Sequence, residues 1–202
     1  MSILLSRRSL ILGASAVAFA ATLPALPVQA QALDQARALV DALVVDVNAV
    51  IASGGSEAQM IQQFAGIFDR YADVPTIARY ALGADARAAS PQQLEAFTVA
   101  FRGYIARKYG KRFREFIGGQ IVVNAAREVP NGIEVETTAI LRNASPFRVD
   151  WHVSAASGRM AFFNIVIEGV NMLLSERTEI QALLDQRGRD IGRLTADLAN
   201  LG

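Results

Sequence analysis

The sequence predicts an α+β fold: an antiparallel four-stranded meander packed against N-terminal helices and a C-terminal helical pair. Two observations carry this. Apolar residues recur at helical spacing up to about residue 117, switch to strict alternation between about 121 and 167, and return to helical spacing after that. The alternating stretches are joined by short polar links, which only antiparallel neighbours can use. A sheet of this kind has one apolar face to bury, and the flanking helices are the cover available to it.

The elements follow in order. Leu33 to about Ala52 places Leu39, Leu43, Val47, Val50 and Ile51 on one helical face and stops at Ser53-Gly54-Gly55. Ser56 to about Ala72 repeats the pattern with Met60, Phe64, Ile67, Phe68 and Tyr71, and a short helix after Pro75 ends at Gly83. The next helix has the clearest start, with Ser90 as N-cap, Pro91 at the first helical position and Gln93 completing a capping box. It is predicted to run to about Ile117, before Gly118-Gly119. Ile121, Val123 and Ala125 alternate in a first strand, and Asn131-Gly132 predicts a hairpin in which both turn residues take positive φ. Ile133, Val135, Thr137, Ala139 and Leu141 share one face of the second strand, opposite Glu134 and Glu136. Phe147, Val149, Trp151 and Val153 alternate with Arg148, Asp150, His152 and Ser154 in the third. Met160 to about Ile167 is a fourth strand, apolar on both sides. Two closing helices are expected near Glu176–Gln186 and Asp190–Leu201.

Ahead of this domain, Arg7-Arg8 precedes an apolar run that reaches about Leu23, followed by Pro24, Pro27 and the small-residue site Ala30-Gln31-Ala32. That is the layout of a cleaved export signal, and the paired arginines resemble a twin-arginine address. Residues 1–32 are therefore read as a signal peptide and 33–202 as one domain. A membrane-spanning helix needs about 20 consecutive apolar residues, and this run is shorter and broken by Gly13 and Ser15.

Composition narrows the function classes. A formal charge of +1 lacks the basic excess of a nucleic-acid binder. With no cysteine and one histidine, a His/Cys metal site has too few ligands, and no metal or cofactor is expected. Asp150, His152 and Ser154 share a strand face, but same-face neighbours stand about 6–7 Å apart with parallel side chains. Nucleophile activation requires hydrogen-bond contact, and no glycine-flanked serine elbow occurs, so no catalytic residue is assigned.

The helix from Ser90 carries the sign of a ligand. Leu94, Phe97, Phe101, Tyr104 and Ile105 form one stripe, which continues into Lys108 and Arg112 while the apolar residues shift to Tyr109, Phe113 and Phe116. An aromatic interior ending in Arg107, Lys108, Lys111, Arg112 and Arg114 suits an anionic amphiphile, with chains inside and phosphate against the cations. An ordinary core stripe with a solvated basic end has the same pattern.

Three segments together resemble the MlaC family, periplasmic auxiliary components of toluene-tolerance and phospholipid-transport ABC systems. They are Tyr104-Ile105-Ala106-Arg107-Lys108-Tyr109-Gly110-Lys111-Arg112-Phe113, Val149-Asp150-Trp151-His152-Val153 and Asn164-Ile165-Val166-Ile167-Glu168-Gly169-Val170-Asn171. The resemblance implies a periplasmic carrier with a lipid cavity between sheet and helices. Its partners would be an outer-membrane lipoprotein complex and an inner-membrane ABC transporter with an MCE-domain subunit. On this reading the acyl chains of a phospholipid contact Phe97, Phe101, Tyr104, Ile105, Tyr109, Val149, Trp151, Val153, Phe163 and Ile165. Lys108 and Arg112 meet the head group. A hopanoid carrier of the same family and a docking subunit that carries nothing stand as alternatives.

Overall fold

The computed structural model describes residues 28–111, 117–142 and 144–202. The export segment up to residue 27 lies outside them, as do Arg112, Phe113, Arg114 and Phe116. Helix α1 (Val28–Ala52) begins five positions before Leu33. Helices α2 (Glu57–Tyr71), α3 (Val74–Leu82) and α4 (Pro91–Gly110) follow, with a 3₁₀ stretch over Gly83–Arg87 between the last two. Ser56 and Ser90 each close a capping box, with Gln59 and Gln93 respectively. Asp73 caps α3 through Thr76 N–H.

Five strands, β1 (Gln120–Val129), β2 (Gly132–Ile140), β3 (Phe147–Ser154), β4 (Ala161–Ile167) and β5 (Val170–Asn171), form one sheet in chain order, each antiparallel to the next. The fold class is the expected one, enlarged by a fifth strand of two residues. Asn171 then caps α5 (Met172–Asp185) through Leu174 N–H, and Asp190 caps α6 (Ile191–Leu198).

Helix α4 is described to Gly110, and its expected continuation to about Ile117 runs into residues 112–116, outside the described ones. A Cβ at Gly110 would stand 2.9 Å from the Ile61 Cα, so α2 and α4 touch backbone to backbone there. Three local features differ from the sequence reading, all in the sheet. The β1–β2 turn is Pro130-Asn131, because Gly132 already pairs with Val129. Gly132 has a φ of 143° and faces the Val153 carbonyl, where a Cβ would come within 2.3 Å; the close approach of β3, not the turn itself, selects the glycine. A bulge at Asn124 makes Ala126 rather than Ala125 the inward residue after Val123. A second bulge leaves Phe163 unpaired between Phe162 and Asn164.

The core lies between the helices and the apolar sheet face. α1 crosses β1, β2 and β3, and α5 packs on β4. The Asn48 side chain bonds both main-chain groups of Ile121, donating at 3.3 Å and accepting at 3.1 Å, which fastens α1 to the edge strand. The α2–α3 junction is tied to β4 by the Asp73 N–H, which donates to the Phe162 carbonyl at 2.8 Å. Nearby, Arg159 donates to the carbonyls of Arg70 and Ala72. α4 packs on α2, α3 and α6. The opposite sheet face is polar and ion-paired: Arg148 bridges Glu134, Glu136 and Asp150, and Arg127 reaches Glu134 at 2.6 Å.

Candidate functional site

Between the apolar sheet face and the helices lies a cavity of about 740 Å³, within the ~300–1,000 Å³ span of small-molecule pockets. Leu43 and Val47 of α1, Phe64, Ile67 and Phe68 of α2, Ile77 of α3, and Ile105 and Tyr109 of α4 form the helical wall. The sheet contributes Ile121, Ala139, Phe147, Val149, Trp151, Phe162, Ile165 and Ile167, with Phe163 at the bulge. Met172, Leu173 and Glu176 from the start of α5 complete the wall, beside Glu168 and Val170. Side chains from four strands meet in one place, which is how a period-two pattern becomes a continuous apolar surface.

Six of the ten tail-contact candidates line this cavity: Ile105, Tyr109, Val149, Trp151, Phe163 and Ile165. The structure places the other four elsewhere. Phe97, Phe101 and Tyr104 are fully or almost fully buried in solid core, where Phe97 and Phe101 stack at 5.7 Å. None of the three lines the hollow. Val153 is buried next to Ile133 and Phe162, which it pairs with in the sheet.

The expected cationic mouth is also differently employed. Lys108 is not part of the cavity wall; its Nζ donates to Glu176 Oε1 at 2.8 Å and to Glu179 Oε2 at 2.6 Å. The same ammonium lies over the rings of Tyr104 and Tyr109, 5.4 and 5.5 Å from their centroids. Arg107 donates to the carbonyls of Leu198 and Leu201, closing the end of α6, and Lys111 donates to the Gly202 carbonyl. Arg112 lies outside the described residues. Arg107 and Lys108 thus tie α4 to α6 and α5. Burial works against ionisation of the Glu179 carboxyl, but hydrogen bonds from Lys108 and Tyr104 outweigh it and hold its pKa below the ordinary value. Burial, then the bond to Glu179, pushes the Tyr104 phenol well up.

The polar strand trio has other partners too. Asp150 binds Arg148 at 2.7 Å, and Ser154 Oγ accepts from Ala156 N–H. His152 sets Nδ1 against the Asn164 amide at 3.2 Å and Nε2 3.5 Å from Glu134. Among the described residues no cluster of three or more His, Cys, Asp or Glu side chains could hold a metal ion, and no helix is long and apolar enough to cross a membrane.

Glu176 is a charged wall residue that sequence reasoning missed, as it missed most of the α1 and α2 side of the wall. It sits in the stripe Met172, Leu173, Ile180, Leu183, Leu184, and a charge inside an apolar stripe was the available signal.

An antiparallel sheet wrapped by helices around a sizeable apolar hollow defines a small-molecule-binding α+β domain. The family model described as "MlaC protein" matches residues 37–200, and the chain belongs to that family. Among solved structures it is similar to one from Ralstonia solanacearum, described as a phospholipid-binding protein in complex with a phospholipid. The TM-score is 0.69 at 21% identity, over 82% of this chain and 96% of that one. At that identity the likeness establishes the fold.

Proposed function

We propose that this protein is a periplasmic lipid carrier. It holds the acyl chains of a phospholipid in the cavity and shuttles the lipid between an outer-membrane lipoprotein complex and an inner-membrane ABC transporter with an MCE-domain subunit. The carrying observation is the wall of the 740 Å³ cavity, almost wholly aliphatic and aromatic, in a chain of the MlaC family. The phospholipid in the Ralstonia relative supports the same choice of ligand. Each methylene withdrawn from water gains about 0.8 kcal/mol, so moving a lipid through an aqueous compartment calls for such a sheath. Ile105, Tyr109, Val149, Trp151, Phe163 and Ile165 are the proposed tail contacts. The paired arginines Arg7 and Arg8 direct export, and residues 1–32 are removed.

The test is mass spectrometry of organic extracts from the purified protein, joined to fluorescence. The chain has a single tryptophan, and Trp151 lines the cavity, so phospholipid with brominated acyl chains should quench its emission. Near-stoichiometric phospholipid with quenching supports the carrier. Hopanoid in its place changes the cargo. Protein that takes up no lipid and shows no quenching overturns the reading in favour of a docking subunit.

A further inference from the structure

Among the described residues, the cavity wall contains no lysine or arginine; its two charged side chains, Glu168 and Glu176, are both acidic. Glu168 is engaged, its Oε1 accepting the Arg148 N–H at 2.6 Å. Glu176 is different. It is 4% exposed, and its Oε1 accepts from Lys108 Nζ and from the Tyr109 hydroxyl. Its Oε2 is buried with no hydrogen-bond partner among the described residues. A buried acceptor left unsatisfied costs about 1–3 kcal/mol, more when charged. The charge is also uneven, because Glu176 and Glu179 share the one ammonium of Lys108. The side chain of Glu179 is 46% exposed, so this cluster runs from solvent to the cavity wall.

We propose that Glu176 is a recognition point for the protonated primary amine of an amphiphile's head group, with Oε2 accepting an N–H from it. The assignment rests on the lipid-carrier reading and names the chemical class of its cargo. Lys108 and Tyr109 hold the carboxylate by its other oxygen, so the acceptor is oriented before the ligand arrives. An ammonium supplies both the missing donor and the missing positive charge. A quaternary ammonium supplies charge without an N–H, and a glycerol head group supplies donors beside an uncompensated phosphate.

The experiment is competitive loading from vesicles containing equal parts dioleoyl phosphatidylethanolamine, phosphatidylcholine and phosphatidylglycerol, with bound lipid quantified by mass spectrometry. Wild-type protein is expected to enrich the ethanolamine lipid about tenfold, the scale of one charge-assisted hydrogen bond. In Glu176→Gln an acceptor remains for Lys108 and Tyr109 while an NH₂ donor replaces Oε2. The enrichment of the ethanolamine lipid over the other two, read as a ratio within whatever lipid is bound, should vanish. A second measurement needs no variant: in wild-type protein, enrichment should fall as the head-group nitrogen is mono-, di- and trimethylated. Loading in vesicle proportions, or enrichment that survives both Glu176→Gln and methylation, overturns this assignment and leaves the carrier standing. Protein that takes up none of the three lipids overturns the carrier reading, and this assignment falls with it.

Discussion

The two halves of α4 carry one continuous apolar stripe and meet different fates. Phe97, Phe101 and Tyr104 stay off the cavity wall and bury completely or nearly so. Ile105, the next residue, and Tyr109, about a turn beyond it, line the cavity opposite the sheet. The first half fills space and the second bounds it. Filled core and cavity wall are therefore carried by neighbouring residues on one helix, and substitutions should separate them.

The largest expected effect is on the filled half. Phe101→Ala should lower stability by roughly 3–5 kcal/mol in urea denaturation, since its void has few ways to collapse. The lipid content of the protein that remains folded should not change; a proportional loss of lipid would erase the distinction between the halves. Next comes the ligand itself. Protein stripped of lipid should melt lower, because a ligand at about 100 times its Kd adds about 2.7 kcal/mol, or roughly 5–10 °C for a domain of this size. Calorimetry before and after delipidation checks this, and equal melting temperatures would count against occupancy of the bounded half. Ile165→Ala, on the cavity wall, should reverse the pattern seen for Phe101, costing only about 1 kcal/mol while bound lipid measured by mass spectrometry falls. The smallest effect is acidic. The Arg189 hydrogen bond is the main cause holding the Asp85 carboxyl below its ordinary pKa, and Glu179 is also held low. Depressed carboxylates contribute stability that is full above their unfolded values near pH 4 and is lost as pH falls through the folded ones. Melting temperatures at pH 7 and pH 3 should show this loss, and Arg189→Ala should remove the share due to Asp85.

The order of elements was legible because each period reports a buried face, and because Ser90, Pro91, Gln93 and Gly83 mark helix ends by their own chemistry. The split of α4 was not. Helical spacing says which side of Phe101 or Tyr109 is covered, never what covers it, so wall and filler look alike along the chain. Lys108 read as a free cation for the same reason: its partners Glu176 and Glu179 lie 68 and 71 residues away. The turn at Pro130-Asn131 was displaced by one residue from the Asn-Gly signal because a neighbouring strand, invisible locally, claimed the space at Gly132. Glu176 could have been found, since a carboxylate among Met172, Leu173 and Ile180 has to be answered by something.

The indole of Trp151 donates its Nε1–H to Thr137 Oγ1 at 3.1 Å, and the Thr137 hydroxyl donates to the Val149 carbonyl at 2.9 Å. The ring has no donor left for anything else, so Trp151 offers a guest shape and no directional bond. Such a surface does not count carbons or register the position of a double bond. On the carrier reading proposed above, a wall of this kind would tolerate the changes in chain composition by which a cell adjusts the fluidity of its membranes.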